Sequence, residues 1–237
     1  MSRAARIGLA LLLLGGVELC GWLGLWQWTR WHETRARETA RRAALAAPPI
    51  VLGDTLAPLE RVRGCVVEVR GVYDTTRVVL LTGATHDGAP GVELAMPLRV
   101  GGGAVLVERG WLPADDGVHA DLANATPADT VTVRGLAEPM KRGAGDPPRP
   151  LAGAPGVLTA RWLDADSLGA RMPYRIAAWA VRELPAPDAP ARPVRLPPTP
   201  LNPGMHLSYA IQWFVFAAAC AVGAIALLRP LRRGRGT

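Results

Sequence analysis

Two long apolar runs, residues 7–31 and 209–228, lie near the ends of the chain, and between them apolar positions come only in short bursts separated by Gly and Pro. A helix needs about 20 predominantly apolar residues to cross a hydrocarbon layer roughly 30 Å thick, so each run predicts one membrane span. After the first span the helical pattern persists over 32–47, where Glu33 stands four residues before Arg37 and Glu38 four before Arg42. That is the favourable order for i,i+4 pairs on a helix continuing out of the membrane. Pro48 and Pro49 end it. Valine-rich bursts at 62–72, 77–81, 92–100, 104–111, 130–136 and 174–184, each bounded by turn residues, predict the strands of a small antiparallel β-barrel or sandwich. The tract 140–155, rich in Pro, Gly and Arg, reads as a surface loop, and the Pro-rich stretch 185–208 as an extended tether leading back to the membrane.

The expected architecture is therefore membrane-anchored α+β, with two transmembrane helices flanking one β-rich domain. Its parts are a short N-terminus at 1–6, a span at 7–31, a helical extension at 32–47, the β-domain at 48–184, the tether at 185–208, a span at 209–228 and a basic tail at 229–237. A cleaved signal peptide fits the first run less well. No small-x-small site closes it, and it continues through Trp22, Leu23, Leu25 and Trp26.

The net charge of +7 arises almost wholly from arginine, Lys141 being the single lysine. The arginines are interspersed with Asp and Glu and cluster mainly beside the spans, a pattern suited to anionic lipid and not to nucleic acid. Arg3, Arg6, Arg229, Arg232, Arg233 and Arg235 argue for cytoplasmic termini. Arg30, Arg35, Arg37, Arg41 and Arg42 argue the reverse, so charge leaves the orientation balanced. Cys20 and Cys220 fall in the spans and Cys65 stands alone in the middle domain, which excludes a disulfide framework or CxxC site there.

Enzyme chemistry is poorly supplied. The three serines, Ser2, Ser167 and Ser208, lack a nucleophile-elbow setting, and neither a Walker loop nor a GxGxxG after a strand occurs. Asp115, Asp116 and Asp121 miss EF-hand spacing and read as an acidic turn; Asp164 and Asp166 read as a turn or helix start. Two of the four histidines, His32 and His206, fall just beyond the spans at similar predicted depth. A neutral imidazole there can ligate haem iron while a guanidinium such as Arg30 meets the propionates. From position alone the plainer reading is that both belong to an interfacial belt with Trp22, Trp26, Trp28, Trp31, Tyr209 and Trp213. Glu18, inside the first span, is either functional or a protonated carboxyl bonded to Gln212. Small residues at Gly8, Gly16, Gly24, Ala217, Ala221 and Ala224 would let the two helices approach closely.

Several segments coincide with one family: Leu23, Gly24, Leu25, Trp26, Gln27 and then Arg30; Val69, Arg70, Gly71, Val72, Tyr73 and Asp74; Pro90 and Gly91, then Met96, Pro97 and Leu98; Val105 through Glu108, Arg109, Gly110 and Trp111 to Pro113; and His206, Leu207, Ser208, Tyr209, Ala210, Ile211, Gln212, Trp213 and Phe214. Over nearly its whole length the chain resembles the surfeit-locus family of cytochrome c oxidase biogenesis factors. The resemblance implies an assembly factor, not an enzyme, in the cell inner membrane, with cytoplasmic termini and a periplasmic β-domain. It implies a carrier that binds haem a and helps it reach oxidase subunit I, with haem a synthase as a further partner, or else a cofactor-free scaffold for unassembled subunits. It points to His206 as the iron ligand; Trp26, Gln27, Tyr209 and Trp213 would surround the macrocycle, and Arg30 or Arg109 would meet its propionates. Met205 stands where the family usually has Asn, and Glu108 replaces another common Asn. Whether Met205 or His32 gives a second ligand stays open.

Overall fold

A computed structural model of the chain describes residues 2–123, 125, 129–143, 145–187, 189–198 and 200–232. In chain order the elements are α1 (Arg3–Ala46), β1 (Ile50–Gly53), α2 (Leu59–Val62), β2 (Val66–Tyr73), β3 (Val78–His86), β4 (Ala89–Val100), β5 (Gly103–Pro113), β6 (Thr130–Pro139), β7 (Arg149–Pro150), β8 (Val157–Ala160), α3 (Ala165–Gly169), β9 (Ile176–Glu183) and α4 (Gly204–Arg232). They form two compact units, one of Met1–Arg41 with Pro200–Thr237, the other of Arg42–Thr199.

The first unit is an antiparallel helix pair. Both α1 and α4 contain stretches long and apolar enough to cross a membrane. Buried and half-buried positions recur at alternating spacings of three and four: Ala10, Leu13, Val17, Cys20, Gly24, Gln27, Trp31, Thr34 and Glu38 in α1, and His206, Ala210, Trp213, Ala217, Cys220, Ala224 and Leu227 in α4. This is the seam of a coiled-coil-like packing. Small residues set the approach: a Cβ on Gly16 would come 3.1 Å from Cys220 Sγ, and one on Gly24 only 2.7 Å from the Phe214 ring. The expected Glu18–Gln212 bond is not formed, because both side chains lie on outward, exposed faces. The predicted tether is also too long, since residues 204–208 are helical. Asn202 accepts the Gly204 N–H at 3.1 Å, and Pro203, immediately before the helix, accepts the His206 and Leu207 amides through its carbonyl and has no N–H to leave unsatisfied.

In the second unit β2, β6, β9, β5 and β4 pair in that order, and β4 pairs back to β2 through Val72–Arg99 and Tyr73–Leu98, closing a five-stranded barrel. β3, β8 and β7 extend the sheet beyond β4, and β1 pairs with β2. Val67, Val69, Leu94, Leu98, Val107, Trp179 and Val181 fill the barrel. On the other face Val79, Ala95, Leu106 and Ala180 pack with Leu163 and Leu168. Burial on both faces explains the unbroken apolar run Val78, Val79, Leu80, Leu81. The expected antiparallel pairing holds for β2–β4, β2–β6, β3–β4, β4–β5, β6–β9 and β7–β8, whereas β1–β2, β3–β8 and β5–β9 are parallel pairs. β7 and β8 fall in or near the stretch read as loop, and the start of the burst at 62–72 is the short α2. Asp164 caps α3, accepting from the Asp166 and Ser167 amides.

The Pro-rich stretch after β9 is not a free tether. Trp111 and Val194 exchange two backbone hydrogen bonds of 2.8 Å, and the Arg195 side chain is buried. Gly110 makes the approach possible: its φ is 131°, and a Cβ there would lie 2.3 Å from the Val194 carbonyl.

Candidate functional site

Gln27 and His206, both in the seam, meet across the helix pair, with His206 Nδ1 2.8 Å from Gln27 Oε1. A carboxamide oxygen only accepts, so the imidazole donates from Nδ1 and is held as the Nδ1–H tautomer. Its Nε2 then carries the lone pair. An imidazole whose distal nitrogen donates to a fixed acceptor, leaving the other nitrogen basic, is the arrangement by which proteins orient a metal-binding histidine. Trp213 lies in the same seam two turns along α4, its ring edge-on to Phe216 at 6.0 Å.

The other expected site residues of this unit face outward. Trp26 is exposed with the Arg30 guanidinium 5.8 Å from its ring centroid, and Arg30 also pairs with Glu33 at 3.1 Å. Tyr209 and Met205 are exposed as well. His32 packs edge-on against Trp28 and Trp31, at 5.2 and 4.6 Å. Glu33 also approaches Arg37 at 3.8 Å, as the i,i+4 spacing predicts. A polar seam contact not foreseen is Glu38, buried, accepting the Leu201 amide at 3.1 Å.

Arg109 belongs to the β-domain interior. Its guanidinium reaches Glu183 through Nε at 3.4 Å, donates to the Ala125 carbonyl and lies 4.8 Å from the Tyr73 ring centroid. With those contacts made, it is a buried network member and not an exposed anchor for propionates. Arg195 reaches the other oxygen of Glu183 at 3.1 Å. Burial, reinforced by Glu183, pushes the Tyr73 phenol well above its ordinary pKa, so it stays neutral. Gly110 and Trp111 complete the segment as the docking point of Val194. The Arg-Gly-Trp signature thus holds the stretch after β9 against the barrel.

Glu108 belongs to a second charged cluster spread over four neighbouring strands. Arg182 of β9 faces Glu108 of β5 at 2.6 Å, Glu138 of β6 at 3.2 Å and Glu93 of β4 at 3.8 Å. The Glu108 contact is an ion pair lacking the angle of a hydrogen bond. Burial pushes the Glu108 carboxyl up to about 7; Arg182 opposes this, and Glu93 and Glu138 add to it. In the loop expected to be an acidic turn, Asp116 accepts from the Val118 and His119 amides and the His119 ring, which hold its pKa below the usual carboxylate range. Among the described residues no group of three His, Cys, Asp or Glu side chains is arranged to hold a metal ion.

Sequence reasoning placed His206 and Gln27 among the site candidates but did not pair them, and it missed Glu183, Arg195 and Arg182 altogether. The signal for the first pair was seam spacing, hidden in runs apolar all round. The other three lie in contacts between residues distant in the chain.

Uncharacterized SURF1-like proteins of Mycobacterium bovis and Mycobacterium tuberculosis are 28% identical to the chain over 246 residues, covering 98% of this chain and 88% of the relatives. The SURF1 family profile matches residues 16–218, which takes in most of α1, the whole β-domain and the first half of α4. The chain belongs to the SURF1 family.

Proposed function

We propose that this chain is an assembly factor for cytochrome c oxidase that holds haem a through His206 in its membrane-anchored helix pair and passes it toward oxidase subunit I. The observation that carries the reading is the 2.8 Å bond from His206 to Gln27, which leaves a basic Nε2 on an oriented ring. The donor chemistry fits iron: neutral imidazole is a common haem ligand. Haem a supplies the redox-active iron of the finished oxidase. In this reading His206 holds the iron, Gln27 fixes the ring, and Trp26, Tyr209 and Trp213 offer aromatic surface to the macrocycle. Arg30, on the surface, meets a propionate. Arg109 is left out of the set because its contacts are internal.

In this reading the protein sits in the inner membrane with the β-domain periplasmic and both termini cytoplasmic, an orientation that rests on the family and not on charge, since the arginines of the two sides nearly balance. Haem a synthase upstream and subunit I downstream are the partners this role requires. Purification from cells that make haem a, followed by reduced-minus-oxidised spectra, tests the ligand: His206→Ala is expected to lose the haem signal. Equal haem content in wild type and variant overturns it. Reporter fusions at each terminus test the orientation.

The close glycine contacts at Gly16 and Gly24 favour a second reading, a cofactor-free scaffold, because the helix pair packs without any group between its backbones there. Restored oxidase assembly by a haem-free His206→Ala protein would establish that role instead.

A further inference from the structure

We infer that the β-domain carries a binding site of its own, separate from the haem reading, for a small organic oxyanion with an apolar body. The site is a cavity of about 580 Å³ between β2, β6 and the end of β9 on one side and the Pro-rich stretch from Leu184 to Pro190 on the other. That volume lies in the range of small-molecule pockets.

Its polar wall is built from buried groups. Tyr73 is 5% exposed, Arg109 4% and Arg195 9%. Together with Arg134, an exposed residue at its rim, three guanidiniums face the cavity and, among the described residues, a single carboxylate, Glu183. Glu183 divides its oxygens, Oε2 to Arg109 at 3.4 Å and Oε1 to Arg195 at 3.1 Å. The remaining contacts of the two buried arginines are to the carbonyls of Ala125, Pro190 and Pro193. Carbonyl dipoles satisfy N–H groups but do not cancel a formal charge, and a buried charge is costly unless an opposite charge meets it. The described lining therefore keeps an excess of positive charge in a half-open cleft.

The rest of the lining is apolar. Val131 and Val133 come from β6, and Leu184, Pro185, Pro187 and Pro190 from the stretch after β9. Arg109 and Arg195 stay bonded to Glu183 and to carbonyls and contribute positive potential, so the group that meets the oxygens of a carboxylate or phosphate monoester is the rim guanidinium of Arg134, with the neutral Tyr73 phenol beside the buried pair. The apolar wall suits a short hydrocarbon body and disfavours a bare inorganic ion. The ligand class is thus an oxyanion head on an apolar body, whether carboxylate or phosphate.

The test uses the full chain in lipid nanodiscs, titrated calorimetrically with hexanoate, hexyl phosphate, acetate, inorganic phosphate and hexanol. Either hexanoate or hexyl phosphate is expected to bind about tenfold or more tightly than the other three, and which one does so identifies the head group. Arg134→Gln, at the rim and outside the buried network, is expected to weaken that binding about tenfold while leaving the melting temperature unchanged. Tyr73→Phe gives a second reading that keeps the ring beside Arg109. The assignment is overturned if neither amphipathic anion beats hexanol, if acetate or phosphate binds equally well, or if Arg134→Gln binds as wild type does. Asp188 lies outside the described residues of the same stretch; binding that appears only in Asp188→Asn would mean that the chain supplies its own anion, and would also overturn it.

Discussion

In the helix pair few polar side chains enter the seam: Gln27 meets His206, and Glu38 accepts the Leu201 amide among its contacts. In the β-domain they enter as charged groups that share partners, Glu183 between two arginines and Arg182 among three glutamates. The difference follows from what surrounds each unit. A helix satisfies its own backbone, so an apolar solvent leaves only a few side chains to be paired, and close packing of small residues does the rest. A small barrel, by contrast, projects side chains from adjacent strands in rows about 5 Å apart, and long charged residues on those rows reach across several strands at once. Polar contacts in the first unit therefore set the orientation of one ring, whereas in the second they hold the wall of the domain together.

The largest effect is expected where two buried cations depend on one anion. Glu183→Ala removes the one carboxylate that, among the described residues, meets the buried Arg109 and Arg195, and breaking a buried pair in this way typically costs about 3–5 kcal/mol. Urea unfolding followed by the fluorescence of buried Trp179 measures it. A loss below about 1 kcal/mol would mean that the two arginines are solvated, and the contrast between the units would fail. Next in size is Gly24→Ala. Its Cβ would sit 2.7 Å from the Phe214 ring, so either the ring turns or the helices part, at a cost of about 1–3 kcal/mol. Phe214→Ala on top of it is expected to recover most of the loss, read as a thermal shift in mild detergent. A double variant as weak as the single one would show that the seam is not packed there.

Much of this contrast was legible in the sequence, and the illegible part has a physical cause. Span length and composition announced the two helices, and valine-rich bursts announced six of the strands, because burial on a pleated face or in lipid leaves its mark residue by residue. The seam register was present as a three-and-four spacing of small and polar residues. In a run that is apolar all round, hydrophobic periodicity carries no signal, so the Gln27–His206 pair stayed hidden. Parallel pairing of β5 with β9 joins residues about 70 apart, and no local pattern encodes it. The same holds for Arg109. The sequence marks it as part of a signature, but its burial by Glu183, 74 residues away, decides that it supports the wall. The proline content of 185–208 predicts an extended tether, and α4 already takes up its last five residues. The docking of that stretch through Val194 and Arg195 depended on a glycine in a distant strand.

A smaller, pH-dependent effect separates the two charged clusters. Burial pushes the folded Glu108 carboxyl up to about 7 from its ordinary 4.5, so between about 4.5 and 7 the folded state keeps a proton that the unfolded chain has released. Stability therefore falls as pH rises through that window, and below it the penalty disappears. Glu108→Gln is expected to remove this slope, gaining on the order of 1–2 kcal/mol over wild type at pH 8 and nothing at pH 4. Melting temperatures of both proteins across pH 4–8 decide it, and parallel curves would mean that Arg182 keeps Glu108 ionised throughout.

The smallest stability effect should accompany the most specific change. Hydrogen bonds between helices in membranes average about 0.6 kcal/mol, so Gln27→Leu is expected to leave the helix pair folded. What it removes is the acceptor that fixes the proton on Nδ1. His206 would then exchange between tautomers, and less of it would present Nε2 with a free lone pair. Gln27→Glu restores an acceptor and strengthens it with a charge, making the ring more basic. If His206 holds iron, the two variants should move the absorption bands and midpoint potential of bound haem in opposite directions, while His206→Ala abolishes the signal. If the bond only ties the helices together, all three proteins should bind haem alike or not at all, and differ by no more than the few tenths of a kcal/mol that one interhelical contact supplies.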